Sequence, residues 1–148
     1  MNAAWVIPFI ILGGVLQAAG AAMNGQLKQS LVNPYLASVV SFALITFFFA
    51  GLLLILPHPL PGKADLASMP WWAPLGGLVG AVQVYAGLTQ VNKVGAGLFM
   101  GITVASALIG SLLLDHFGMF RLQQHSMTWQ RGLGAALLVG GVALISRF

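Results

Sequence analysis

The feature that most constrains this chain is a succession of apolar runs of about 20 residues, the length needed to cross a hydrocarbon core roughly 30 Å thick as a helix. Five are expected, at residues 4–25, 34–56, 71–91, 94–114 and 129–145. Of the 148 residues, 59% are hydrophobic and only 5% are charged, too little polar surface to cover a soluble globule of this size. The expected class is therefore all-α integral membrane, with five transmembrane helices. Inside a bilayer every backbone polar group must be satisfied within its own segment, which helices do.

Between the second and third runs, proline at positions 57, 59 and 61 removes backbone donors and forbids helical continuation, so this segment is a loop. The link Asn92-Lys93 is so short that the third and fourth helices are expected to form an antiparallel hairpin with touching walls. Trp71, Trp72 and Trp129 flank apolar runs, as interfacial aromatics do. The longest polar stretch, residues 115–130, is too short to build a core, so residues 1–148 are read as a single membrane domain. Small residues at 18–22 resemble a signal cleavage site, but no Lys or Arg precedes the first run, which is read as a retained helix.

The net charge of +4 does not point to nucleic acid. Lys28, Lys63, Lys93, Arg121, Arg131 and Arg147 stand singly near the ends of apolar runs, where interfacial anchors sit, and form no phosphate-binding stripe. Arg131 lies inside the last run, where its long stem can stay in lipid while the guanidinium reaches the headgroups. With five spans, Lys63, Arg121 and Arg131 fall on the side of the N-terminus, and Lys28, Lys93 and Arg147 on the other. The bias that normally fixes orientation thus cancels. One explanation is insertion in both orientations, with pairing to a second copy of the chain, inverted, to give ten helices and an inverted repeat suited to alternating access. The other is a fixed topology set by a partner or by the free amino terminus.

Two helices carry polar stripes. At 100° per residue, Gly13, Gln17, Gly20, Asn24 and Lys28 fall within an arc of about 80°, as do Gly76, Gly80, Gln83, Gly87 and Gln90. Gln17, Asn24 and Gln83 are candidate substrate-binding residues, because uncharged amides can replace part of a polar solute's hydration shell. The competing reading is helix glue, in which glycines allow close approach and amides hydrogen-bond across helices. On the fourth helix Gly97 and Gly101 are spaced for tight packing, while Thr103 and Ser106 lie on a roughly opposite, candidate solute-facing arc. Gly132 and Gly140, with Ala136, make a further ridge on the fifth helix. Gly76, Gly80, Gly97, Gly101, Gly132 and Gly140 are the expected packing positions.

Charge at the cavity mouth is assigned to Lys28 and Asp115. Lys28 can attract an anionic solute or snorkel to the headgroups; Asp115 can serve at the mouth or pair with Arg121 or solvent. The helix interiors hold no Asp or Glu, which disfavours proton-coupled export of cations. His58, His116 and His125 lack metal-ligand spacing, no serine has a recognisable histidine and acid partner, and cysteine is absent. No enzymatic activity, metal or cofactor is expected.

The pattern Gly14-x-x-Gln17 with Asn24-x-x-Leu27, Pro34 and Ser41-Phe42 in the second helix, Gly76-Gly77-x-x-Gly80-Ala81, Asp115-His116-Phe117-Gly118 and Arg131-Gly132 resembles the drug/metabolite transporter superfamily, in its short five-helix YdcZ-like bacterial branch. The likeness spans nearly the whole chain. It implies a multi-pass protein of the bacterial inner membrane, a half-size transporter whose partner half is a second copy or a close paralogue. It also implies that the first four helices surround the cavity, placing Gln17, Asn24 and Gln83 centrally. The chain differs from the small multidrug exporters in lacking their membrane-embedded glutamate. The expected activity is secondary transport of a small polar metabolite; the alternatives are a non-transporting subunit that stabilises or regulates a partner, and a passive channel.

Overall fold

A computed structural model describes residues 5–56 and 58–148. The described residues are almost wholly helical: α1 (Val6–Leu31), α2 (Pro34–Ile55), a short α3 (Lys63–Ser68), α4 (Gly76–Val94), α5 (Ala96–Phe117) and α6 (Trp129–Ile145). Three helices, α1, α2 and α5, are long and apolar enough to cross a membrane, and α6 is a shorter apolar helix. α4 is a less apolar 19-residue helix because Gln83, Gln90, Asn92 and Lys93 all fall within it. The chain divides into two compact units, Met1–Lys93 and Val94–Phe148.

In the first unit α1 and α2 form a hairpin joined by Val32 and Asn33. Val32 adopts φ 61° and Asn33 N–H donates to the Leu31 carbonyl at 2.6 Å, a tight reversal that ends α1. Asn33 then starts α2, its Oδ1 accepting the N–H groups of Tyr35 (2.9 Å) and Leu36 (3.2 Å), with Pro34 at the first helical position where a missing N–H costs nothing. α1 runs six residues beyond the end expected at Gly25 and begins at Val6; Ala4, where it was expected to start, lies outside the described residues, as does Pro57 of the loop. Gly25 is not a cap but an interior residue, buried where α4 crosses it.

The segment expected as unbroken loop contains α3, whose start is fixed by Asp65 Oδ2 accepting the Gly62 N–H at 2.9 Å. The third long helix begins at Gly76, not Trp71. Residues 70–75 form turns in which Ala73 N–H reaches Pro70 O and Leu75 N–H reaches Trp72 O, each at 3.0 Å, and Pro70 and Pro74 limit how the chain enters the helix. It ends at Val94, past Val91, because the break falls at Gly95, whose φ of +85° only glycine adopts without strain. α5 accordingly starts at Ala96 and not at residue 94, and continues to Phe117.

In the second unit α5 packs on α6. A Cβ at Gly101 would stand 3.2 Å from Val142 Cγ2, so the two helices approach closely there, beside the buried Ala105. The connection is short and folded back on α5. Gly118 takes a left-handed conformation (φ 58°, ψ 34°) and its N–H caps α5 by reaching Asp115 and Leu114 carbonyls. His125 N–H donates to Asp115 O at 2.9 Å, Gln124 Nε2 to His116 O at 2.8 Å, and Met127 N–H to His116 Nδ1 at 3.1 Å. Arg131 Nη1 closes the strap on His125 O at 3.3 Å, and Thr128 Oγ1 accepts the Arg131 N–H at 3.4 Å to start α6.

Candidate functional site

Most hydroxyls on these helices are turned back on their own turn. Ser38 donates to Pro34 O (2.9 Å), Thr46 to Phe42 O (2.9 Å) and Thr89 to Tyr85 O (2.9 Å), which satisfies them without a partner helix. Ser41 instead donates its Oγ proton across the hairpin to Asn24 Oδ1 at 3.1 Å. The two residues lie nearly equidistant from the Val32-Asn33 turn, so the hairpin register brings them level. Around them α4 is drawn in: Asn92 Nδ2 donates to the Gly25 carbonyl at 2.9 Å, Val91 packs at Gly25, and the rings of Tyr35 and Tyr85 stack with centroids 5.7 Å apart. Ala37, Leu88 and Val91 are the buried apolar residues of this end of the unit.

Asn24 is half-buried in this junction, and Lys28, one turn further along the same face, is half-buried too. Gln17 lies on the same face two turns before Asn24 and is exposed. Taking Val6 as the start and 1.5 Å per residue, Gln17, Asn24 and Lys28 stand about 17, 27 and 33 Å along α1, a polar ladder from mid-helix to its C-terminal end. Gln83 is exposed on α4 and has no hydrogen-bond partner among the described residues. In the second unit Thr103 is half-buried and Ser106 exposed; Ser106 Oγ is spent on Ile102 O (2.7 Å) and Thr103 O (3.1 Å). Ser106 borders a cavity of about 380 Å³ that is otherwise largely apolar, with Leu98, Ile109 and Val139 in its wall.

Asp115 is half-buried and engaged through its backbone carbonyl; its carboxylate makes no ion pair with Arg121 among the described residues. Of the glycines expected to pack helices, Gly101 meets Val142, whereas a Cβ at Gly76, Gly80, Gly97, Gly132 or Gly140 would meet nothing within 4 Å. Among the described residues no group of His, Asp and Glu could hold a metal ion.

Three contact residues lie outside the expected site: Ser41, which enters above only through the family resemblance, Asn92 and Gly25. Ser41 was visible as the residue level with Asn24 in any tight hairpin turning at Asn33-Pro34. Asn92 was read as a linker, and Gly25 as a helix end; an interior glycine calls for a packing reason, which here is Val91 and the Asn92 amide.

Residues 5–144 match the model of the family described as "Putative inner membrane exporter, YdcZ". The chain is similar to the inner membrane protein YdcZ of Escherichia coli (strain K12), 29% identical over 160 aligned positions that cover 99% of this chain and 98% of that protein. No solved structure matches the chain. With nearly its whole length inside the family match and apolar helices of membrane-spanning length, this chain belongs to the YdcZ family and is a multi-pass protein of the bacterial inner membrane.

Proposed function

We propose that the chain is half of a secondary transporter for a small polar solute, in which α1, α2, α4, α5 and α6 all cross the bilayer and a second, inverted copy or a close paralogue completes ten helices. The family description supports a membrane transporter in general. The observation that carries the finer reading is the polar ladder on α1: Gln17, Asn24 and Lys28 follow one face of a helix long enough to span, and lipid does not tolerate such a face. The ladder needs a wet cavity or a polar partner, and an inverted copy supplies both. The balanced cations favour the same arrangement, since neither orientation gains from the positive-inside bias.

Alternating access then follows from the pairing of two equivalent halves around one site, each able to open it to its own side. Gln17 is the solute contact nearest the middle of α1. In proteoliposomes, Gln17→Leu is expected to abolish solute flux while the dimer survives cross-linking; undiminished flux removes Gln17 from the site. Orientation is tested separately with Ala64→Cys and Val94→Cys, uncharged neighbours of Lys63 and Lys93 whose replacement leaves the cation balance intact. Each variant is expected to be labelled from outside intact cells in about half of its molecules, the split an unbiased insertion produces. Labelling of one position alone eliminates the inverted pair.

A second reading rests on the Asn24–Ser41 hydrogen bond, which is also what helix glue looks like. In that reading the chain stabilises another membrane protein and Gln17→Leu lowers its melting temperature without any solute to lose. Stabilisation by a solute, through mass action, separates the two.

A further inference from the structure

The donor and acceptor balance at the end of the α1 ladder narrows the class of solute. Asn24 has one acceptor oxygen and a two-proton amide nitrogen. The oxygen is engaged by the Ser41 hydroxyl at 3.1 Å, and the amide nitrogen has no partner among the described residues. Four residues on, along the same face, the Lys28 ammonium is half-buried and likewise without a partner among the described residues. What the ladder offers at this point is therefore mostly donors: two amide protons and three ammonium protons one helical turn apart, against the one lone pair that Ser41 leaves on Asn24 Oδ1. Among the described residues of the first unit no carboxylate pairs with them. The first unit contains three lysines and one aspartate, a net of +2, and that aspartate, Asp65, accepts the Gly62 N–H in the loop.

We infer that Asn24 and Lys28 form the entry subsite for an organic carboxylate, so that the solute proposed above is anionic. The inference rests on the transporter reading for its place in a pathway but not for its chemistry. A cationic solute would meet uncompensated positive charge here, and a solute lacking acceptors would engage neither donor group. A carboxylate satisfies both with charge-assisted hydrogen bonds. In an inverted pair the two Lys28 side chains stand at opposite mouths, so that each side of the membrane presents one anion-attracting group and Gln17 lies further in.

The test uses purified full-length protein in neutral detergent, with melting followed at constant ionic strength in sodium benzoate and sodium succinate and in their uncharged amides, benzamide and succinamide. At least one carboxylate is expected to raise the melting temperature while its amide does not. Lys28→Gln is expected to weaken that carboxylate by about tenfold to a hundredfold, the loss of one charge-assisted bond, and Lys28→Arg to retain most of it. No shift with either carboxylate, or a shift that Lys28→Gln leaves unchanged, overturns the inference. So does stabilisation by phosphatidylglycerol nanodiscs that neither carboxylate reproduces, which would assign the donors to a lipid headgroup. A carboxylate that binds through Lys28 but is not moved in proteoliposomes refutes the transporter reading and leaves the subsite standing. Flux of a neutral or cationic solute that Lys28→Gln does not change does the reverse.

Discussion

Gly25→Leu is expected to give a protein that no longer melts cooperatively at the wild-type temperature, the largest single-residue effect in the first unit. A Cβ at this position would stand 2.5 Å from Val91 Cγ1 and 2.9 Å from Asn92 Nδ2, both closer than real Cβ contacts allow. Val91 is buried and β-branched, so it has few rotamers through which to retreat. Overpacking of this kind costs about 1–3 kcal/mol, and separation of the helices also breaks the 2.9 Å bond from Asn92 to the Gly25 carbonyl, about 1 kcal/mol more. Against this, a better helix former at an interior glycine returns only about 1 kcal/mol. Gly25→Ala is expected to be intermediate, and Val91→Ala to restore part of the loss in the Gly25→Ala background but not alone, a coupling that a double-mutant cycle measures in detergent. Equal melting of Gly25→Leu and wild type would mean that α4 does not cross α1 at this point.

Gly118→Val is expected to destabilise the second unit by about 2 kcal/mol, while Gly118→Asn remains near wild type. The neighbours of Gly118 are not the cause, since a Cβ would meet Gln124 Cβ and Leu122 O at an ordinary 3.5 Å. The cause is its left-handed backbone, φ 58° and ψ 34°, which costs most residues roughly 1–2 kcal/mol and a β-branched one more, but which asparagine tolerates. Phe120 and Arg121 already occupy the same region in this strap, at φ 56° and 63°, so the loop has little freedom to move the strain elsewhere. Hydrogen exchange at the His125 amide, which is held by Asp115 O, reports the loosening directly. Identical exchange in the Val and Asn variants would show that the left-handed cap is not what holds the strap.

Apolar length alone places α2 and α6 almost residue for residue, because both helices fill their apolar runs; the Asn33 and Thr128 caps that start them are features of the structure. α1 was cut short at Gly25 because a glycine after an apolar run looks the same whether it ends a helix or admits a neighbour. The difference lies in Val91 and Asn92, 66 and 67 residues away, and no local pattern carries it. The Asp115-His116-Phe117-Gly118 motif was conspicuous in sequence but silent about its purpose. Its geometry is a strap, with the Asp115 and His116 carbonyls and His116 Nδ1 as acceptors and Gly118 as the cap. Within the candidate site the α1 stripe is legible from 100° steps, whereas the bond from Ser41 to Asn24 depends on the hairpin register that the turn at Val32 and Asn33 sets.

The reversal at Val32 and Asn33 has a consequence for biogenesis. Two residues between the helices leave no slack for α1 and α2 to part, so the hairpin assembles as one piece. Lys28, in the last turn of α1, sits near the tip of that pair and travels with it.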